Sequence, residues 1–259
     1  MQDEEEFFNR AKADLLEIQQ DRHEKVYKMT KLSDQCFALL EKMRATLLKA
    51  GSKSSTSIEY QDALARFIFE NSYKGGSIIE VGCYKGGLTA QLAFAAKVTG
   101  SHLYTIDIDR QWISHTQELL QKFNLQTHTT FYHGNFAEFA DSTPFDKRPL
   151  LAVIDGDHRY EAVLEDIRSI YRLTKVPHAV AFHDFSLRYV EPCNNFVANT
   201  FVDKAIFDSL GPDVELIRIG FQVDEDPYTH KLSNPHSETG HYWEKHGSEG
   251  VIVFMPPPK

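Results

Sequence analysis

Cysteine is scarce in this chain. The three residues, Cys36, Cys83 and Cys193, lie far apart and form no C-x-x-C pair. That spacing argues against a disulfide framework or a thiolate metal site and fits a reducing compartment. Long apolar runs are missing too: no stretch approaches the roughly 20 residues that cross a bilayer, so no membrane partner is expected. Basic side chains are outnumbered, 28 Lys and Arg against 37 Asp and Glu, for a formal net charge of −9. Phosphate backbones are bound by basic faces, so no nucleic-acid partner is expected either. The opening residues, MQDEEEFFNR, are acidic and lack the apolar core of a secretion signal. A cytoplasmic protein is therefore expected.

Glycine and proline are absent from residues 4–50. Phe8, Leu15, Met29, Cys36 and Met43 share one heptad position there, and Ala11, Ile18, Leu32 and Leu39 fall three residues later. Arg22, Lys25 and Thr46 interrupt the seam. The pattern predicts a helical N-terminal arm over residues 1–50, as one long helix or two broken near residues 21–24. Its role stays open between an arm that joins copies into a homo-oligomer, a wall over an acceptor site, and a helical layer packed on its own domain.

What the chain does contain is a strand–turn–helix–strand signature at residues 77–109. An apolar run ends in Glu80, and a turn follows with Gly82, Gly86 and Gly87. A helical pattern comes next, and a second apolar run ends in Asp107. In α/β folds such glycines let backbone approach a nucleoside, and the acid accepts hydrogen bonds from its ribose. Neither G-x-G-x-x-G nor G-x-x-x-x-G-K-[ST] fits the spacing. Glu80 would repel a phosphate and would suit a ligand with an ammonium and hydroxyls, such as S-adenosylmethionine. The bland alternative is the glycine turn of an α/β domain with no ligand.

Residues 51–57 read as a linker, and Thr56 to Glu59 matches a capping box ahead of a helix with Tyr60, Leu64, Phe67 and Ile68 on one face. Strand and helix signals then alternate. Strands are predicted at 78–81, 102–108, 129–133, 150–154, 179–182, 214–219 and 251–255, and helices at 88–98, after Asp109, after residue 160 and at 200–210. That alternation predicts a doubly wound, seven-stranded, mostly parallel Rossmann-like sheet occupying residues 51–259. Residues 220–250 separate the last two strands. They hold His230, His236, His241 and His246, in no standard zinc spacing, with Phe221, Tyr228, Tyr242 and Trp243. The stretch is read as a lid or acceptor-recognition loop, against a plain solvated loop.

Function in such sheets gathers at the carboxyl ends of the strands. Those ends carry Glu80 and Gly82, then Asp107, then Gly134-Asn135-Phe136, then Asp155-Gly156-Asp157-His158, then His183-Asp184. Asn135 and Phe136 would sit beside an adenine, with Phe136 as a stacking surface, unless they are a turn residue and a core side chain. Asp155, His183 and Asp184 converge from neighbouring ends and suit a divalent cation such as Mg²⁺, which would acidify a substrate hydroxyl. Asp157 or His158 would serve as general base. Against this, the carboxylates are also plausible helix caps, and the histidines plausible backbone partners.

Glu80-Val-Gly82-Cys-Tyr84-Lys-Gly86-Gly87 with Asp107 resembles motif I and the following acid of class I S-adenosylmethionine-dependent methyltransferases, with Tyr84 in place of the usual middle glycine. Ile154-Asp-Gly-Asp-His-Arg-Tyr-Glu161 followed by Ala181-Phe-His-Asp-Phe185 is similar to the signature pair of macrolide (macrocin-type) and aminocoumarin sugar O-methyltransferases. More distantly it is similar to catechol O-methyltransferase and to cephalosporin-hydroxylase-like proteins. The resemblance covers residues 56–255. It implies a cofactor site at Glu80, Gly82, Tyr84, Gly86, Gly87 and Asp107, with metal-site acids at Asp155 and Asp184; Asn135, Phe136 and Asp155 at the neighbouring strand ends are expected to complete the cofactor site. His183 stands where metal-dependent relatives often carry a second acid.

The expected reaction is methyl transfer from S-adenosylmethionine to a hydroxyl of a small polar natural-product or sugar-like acceptor. Neither a (D/N)-P-P-(Y/F) motif nor a Pro-Cys nucleophile loop is present, which argues against methylation of nucleic acid. Two rivals remain: a hydroxylase-like reaction on the same fold, and a non-catalytic assembly protein that keeps the nucleoside pocket. Formation of S-adenosylhomocysteine separates the first, and insensitivity to loss of Asp157 and His158 would mark the second.

Overall fold

Short apolar runs form the central strands and apolar residues recurring near every 3.6 positions form the helices, and the two patterns build a layered α/β fold. A computed structural model describes residues 25–49, 54–189, 199–219 and 248–256. In chain order the elements are α1 (Lys25–Lys49), α2 (Ile58–Asn71), β1 (Ile78–Val81), α3 (Gly87–Thr99), β2 (Leu103–Asp107), α4 (Arg110–Lys122) and β3 (Thr129–His133). They continue with α5 (Phe136–Ser142), β4 (Leu151–Ile154), α6 (Tyr160–Arg172), β5 (Ala179–His183), α7 (Val202–Leu210), β6 (Leu216–Ile219) and β7 (Gly250–Phe254). The lid stretch lies outside the described residues apart from its last three, as do its four histidines, Cys193 and the first 24 residues of the arm.

One seven-stranded sheet runs in the order β3-β2-β1-β4-β5-β7-β6. The first five positions are parallel, and β7 inserts antiparallel between β5 and β6. The doubly wound, mostly parallel sheet read from the sequence is the one found. Strand order reverses between β1 and β4, so the crevice of the fold opens at their carboxyl ends.

Alternation along the central strands supplies two cores. Ile78, Leu103, Leu151, Val153, Ala179, Ala181 and Ile252 face one side, with side chains of α1, α2, α3 and α4. Ile79, Val81, Ile106, Ala152, Ile154, Val180, Phe182 and Val251 face the other, with α5, α6 and α7. Glu80, Thr105 and His183 fall on the first side by the same alternation, below α2 and α3. Polar side chains at these positions are placed inside, at the edge of a core.

The arm joins that core. Cys36, Leu40, Met43 and Leu47 are buried among side chains of α2 and α3. The buried stripe therefore runs 36-40-43-47, with Leu39 only partly covered. Arg44 lies on the same stripe at 4% exposure. Its Nε donates to Gln61 Oε1 at 3.1 Å and Gln91 Oε1 at 2.8 Å, and Nη2 to Asp62 Oδ1 at 2.5 Å. A buried guanidinium is tolerable only when its donors are satisfied this way. Among the described residues no helix is long and apolar enough to cross a membrane.

Two local readings change. The N-cap of α2 is Ser57, whose hydroxyl accepts from Tyr60 N at 3.0 Å, one residue later than the capping box read from Thr56. Ser57 N–H donates to Glu249 Oε1 at 2.6 Å, so a carboxylate 192 residues away does what a local glutamate does in a capping box. The segment after β3 forms a helix, α5, that the sequence reading left as a strand-end turn. Asn135 caps it, and Glu138 closes a reciprocal box.

Candidate active site

The turn after β1 is built around Asp107. Its Oδ2 accepts from Cys83 N at 3.0 Å and Tyr84 N at 3.2 Å, and its Oδ1 accepts from Asp109 N at 2.8 Å. These contacts fix the carboxylate beside the turn. Gly82, at φ 93, packs its Cα against the end of β4, where a Cβ would overlap the carbonyl oxygen of Asp155. The close approach that requires this glycine is thus to the chain itself. Gly86 is the left-handed N-cap of α3, and Gly87 is buried in its first turn.

Tyr84 takes φ 42, the left-handed conformation of the glycine it replaces. Its ring, 39% exposed, meets Trp112 edge-on at 4.6 Å, and Lys85 Nζ lies 5.1 Å from its centroid. Ile108, next to Asp107, is 75% exposed. An apolar side chain is thus left bare beside Asp107, a feature absent from the strand-end pattern in the sequence.

Phe136 does not join this surface. The side-chain oxygen of exposed Asn135 caps α5, accepting from Glu138 N at 2.9 Å. Phe136 is buried in the second core and stacks on Phe139 with centroids 6.3 Å apart. In this conformation it is a core side chain, because an amphipathic helix begins at that residue.

Glu80 is fully buried. Thr105 Oγ1 donates to its Oε2 at 2.7 Å, and Oε1 has no hydrogen-bond partner. Burial pushes its carboxyl up to about 8 against the lowering effect of the Thr105 hydroxyl. At neutral pH it is mostly the protonated acid, below the surface of the turn.

Asp155, His158, His183 and Asp184 meet at the ends of β4 and β5. His183 Nδ1 lies 2.9 Å from Asp155 Oδ1 and 3.2 Å from Asp184 Oδ1. His158 Nε2 lies 3.1 Å from Asp184 Oδ2 and 3.9 Å from Asp155 Oδ1. Ligand atoms of Asp155, His158 and His183 all fall within 4.8 Å of one another, a spacing that could hold a metal ion. The sequence reading grouped Asp155 and His183 with Asp184. Asp184 instead spans the two imidazoles, and it does so at φ 57. Asp157 turns away to Arg159, whose Nε donates to both carboxylate oxygens at 3.0 and 2.9 Å. That guanidinium holds the Asp157 carboxyl below its ordinary range, which makes it a weak base.

Three residues complete the cluster that the sequence reading did not assign to it. Glu249, buried just ahead of β7, holds His183 Nε2 at 3.0 Å and takes both the N–H and the hydroxyl of Ser57. Tyr60 stacks edge-on against His183 at 5.0 Å, and its buried hydroxyl has no hydrogen-bond partner. Burial, then the charges of Asp155, Glu249, Asp184 and Glu80, push that phenol well above its usual range. Burial works against charging His183, but the carboxylates of Asp155, Asp184 and Glu249 outweigh it and hold the imidazole well above its ordinary value. The legible signal for Tyr60 was a polar tip on an otherwise apolar helix face. Glu249 had none without the strand order.

The family model for a methyltransferase domain matches residues 79–185, the segment from β1 to the end of β5. The fold is similar to the O-methyltransferase of Bacillus cereus, solved in complex with S-adenosylhomocysteine, at TM-score 0.55 and 13% identity over 84% of this chain and 91% of that one. It is also similar to the O-methyltransferase TomG of Streptomyces achromogenes, involved in tomaymycin synthesis and solved with S-adenosylmethionine, at TM-score 0.53 and 13% identity over 85% and 89%. No curated protein matches the chain by sequence.

Proposed function

We propose that this chain, whose residues 79–185 match the family model for a methyltransferase domain, transfers a methyl group from S-adenosylmethionine to a hydroxyl of a small polar acceptor of natural-product or sugar type. The observation that carries the reading is adjacency. A nucleoside-type turn closed by Asp107 abuts a carboxylate–imidazole cluster, with Gly82 against the Asp155 carbonyl.

The chain's residues fit the donor. Asp107 accepts a hydrogen bond from a ribose hydroxyl, and Ile108, Tyr84 and Trp112 offer apolar surface for the base. The methyl group passes to the acceptor oxygen, S-adenosylhomocysteine leaves, and the hydroxyl proton stays in the cluster. Much of the rate is expected from alignment of donor and acceptor. With Asp157 committed to Arg159, we assign the proton to the His158–Asp184 pair. The residues also fit a divalent ion, because the buried His183 Nδ1 has no hydrogen bond and faces the other candidate ligands. Asp155, His158 and His183 would hold it, leaving Asp184 to take the proton. Such an ion would lower the pKa of a hydroxyl bound to it.

The test is calorimetric titration with S-adenosylhomocysteine, followed by an assay for that product with a panel of hydroxylated acceptors. Wild type is expected to bind, and Asp107→Asn to bind more weakly. Asp184→Asn, which tolerates the same left-handed backbone, should bind normally and turn over about 10²–10⁴ times more slowly. Absence of binding to wild type would overturn the reading.

A further inference from the structure

We propose that the ion taken up at the ends of β4 and β5 is a first-row transition ion such as Mn²⁺, Fe²⁺ or Co²⁺ in preference to Mg²⁺, and that Glu249 is the positioning residue that turns His183 toward it. The proposal rests on the reading of this cluster as a metal-assisted methyl-transfer site and names the ion and its support.

The first observation is spacing. Atoms about 2.1 Å from a shared octahedral ion stand about 3.0 Å apart when adjacent and about 4.2 Å apart when opposite. Asp155 Oδ1 lies 2.9 Å from His183 Nδ1 and 3.9 Å from His158 Nε2. These separations belong to that range. His183 Nδ1 is buried and makes no hydrogen bond, although the Asp155 oxygen is close enough for one.

The second observation is on the other ring nitrogen. His183 Nε2 stands 3.0 Å from Glu249 Oε1, and the same carboxylate takes the N–H and the hydroxyl of Ser57. Glu249 acts as an acceptor in all three contacts, so Nε2 carries hydrogen. The ring on its own is held as the imidazolium, so an ion binds by displacing the Nδ1 proton, which leaves the lone pair on Nδ1 facing Asp155 and His158. A carboxylate behind a ligating histidine fixes tautomer and ring orientation and raises ligand strength. Backbone bonds from Phe185 N to Glu249 O at 3.0 Å and from Ser186 N to Ser248 O at 3.2 Å hold this support against the end of β5.

The donor set then selects the ion. Mg²⁺ is bound through oxygen and keeps its waters. Two imidazole nitrogens and one carboxylate with open positions suit transition ions. His158 and His183 supply those nitrogens where an all-oxygen site would carry acids or amides.

The full-length wild-type chain, stripped of metal, is titrated with Mn²⁺ and with Mg²⁺ by calorimetry, and with Co²⁺ by visible absorption. Mn²⁺ is expected to bind at least about 10-fold more tightly than Mg²⁺, and Co²⁺ to show ligand-field bands that are lost in His183→Gln. Glu249→Gln should weaken Mn²⁺ binding about 10–100-fold while leaving affinity for S-adenosylhomocysteine unchanged. Ser57→Ala, which removes one anchor of Glu249, gives a milder version of the same loss should Glu249→Gln fail to fold. Equal affinity for Mg²⁺ and Mn²⁺ overturns the proposal. So does binding of neither ion, which would mean that the His183 imidazolium itself occupies the charge site. Metal affinity unaltered by loss of Glu249 or its anchor removes Glu249 from the role. Binding of S-adenosylhomocysteine is read separately: if it persists while the metal arm fails, only this inference falls, and if it is absent the site reading falls as well.

Discussion

Glu80 is a carboxylic acid with no access to water, and its chemistry follows from that position. Its carboxyl is raised from the ordinary value near 4.5 to about 8. The folded state therefore keeps a proton that the unfolded chain releases between those two pH values. Stability from the neutral form is complete below about pH 4.5 and is lost as pH rises toward 8. Glu80→Gln carries no titrating group, so its stability should decline less over that window. Urea melts of both proteins at pH 5 and pH 8 check this, and equal pH slopes would sink it. Tyr84 makes a related point. The sequence reading marked it as the departure from a glycine pattern, and its backbone nonetheless takes the glycine conformation, at φ 42, because Asp107 holds the N–H groups of Cys83 and Tyr84 in the turn.

Among the elements, α1 is the one whose heptads misled in detail. A heptad count pairs residues seven apart and leaves their destination open. Cys36 and Met43 were on the seam, but Leu40, Leu47 and Arg44 complete the stripe that packs on α2 and α3. Arg44 is the polar pin of that packing. Truncating it removes the ionic partner of Asp62, which is 35% exposed, and the donor to Gln91 Oε1, while Gln61 Oε1 keeps Gln91 Nε2 at 2.6 Å. Loss of a fully buried ionic partner costs about 3–5 kcal/mol and water at Asp62 lowers that figure, so we expect Arg44→Ala to lose about 2 kcal/mol in denaturant unfolding, with Arg44→Met recovering part of it. A loss under about 1 kcal/mol would show the network to be dispensable. For β1 to β5 the elements were readable almost to the residue, since each is an apolar run ended by a polar or glycine residue. The α5 helix escaped because its apolar residues fall within seven positions, too few to show a period.

At the scale of the whole molecule, β7 ties the end of the chain to its beginning. Gly250 sits where a Cβ would overlap the Tyr60 ring and crowd the Phe182 carbonyl. Gly250→Ala should therefore destabilise by about 1–3 kcal/mol, as overpacking does. If Tyr60 moves to make room, His183 loses its edge-on neighbour too, so the same variant is expected to weaken metal binding. A variant as stable as wild type in urea melts would show that the contact yields. The sequence by itself determined the alternating layers and the placement of Asp107, Asp155, His158, His183 and Asp184 at or just beyond the carboxyl ends of strands, because each follows from local periodicity and from residues adjacent in the chain. Tertiary structure alone decided that Phe136 is core and that Ser57, Tyr60 and Glu249 stand behind His183. The support of His183 depends on which strands become neighbours, since β7 pairs with β5 inside the sheet. Contacts between residues 192 positions apart leave no periodic trace in a sequence.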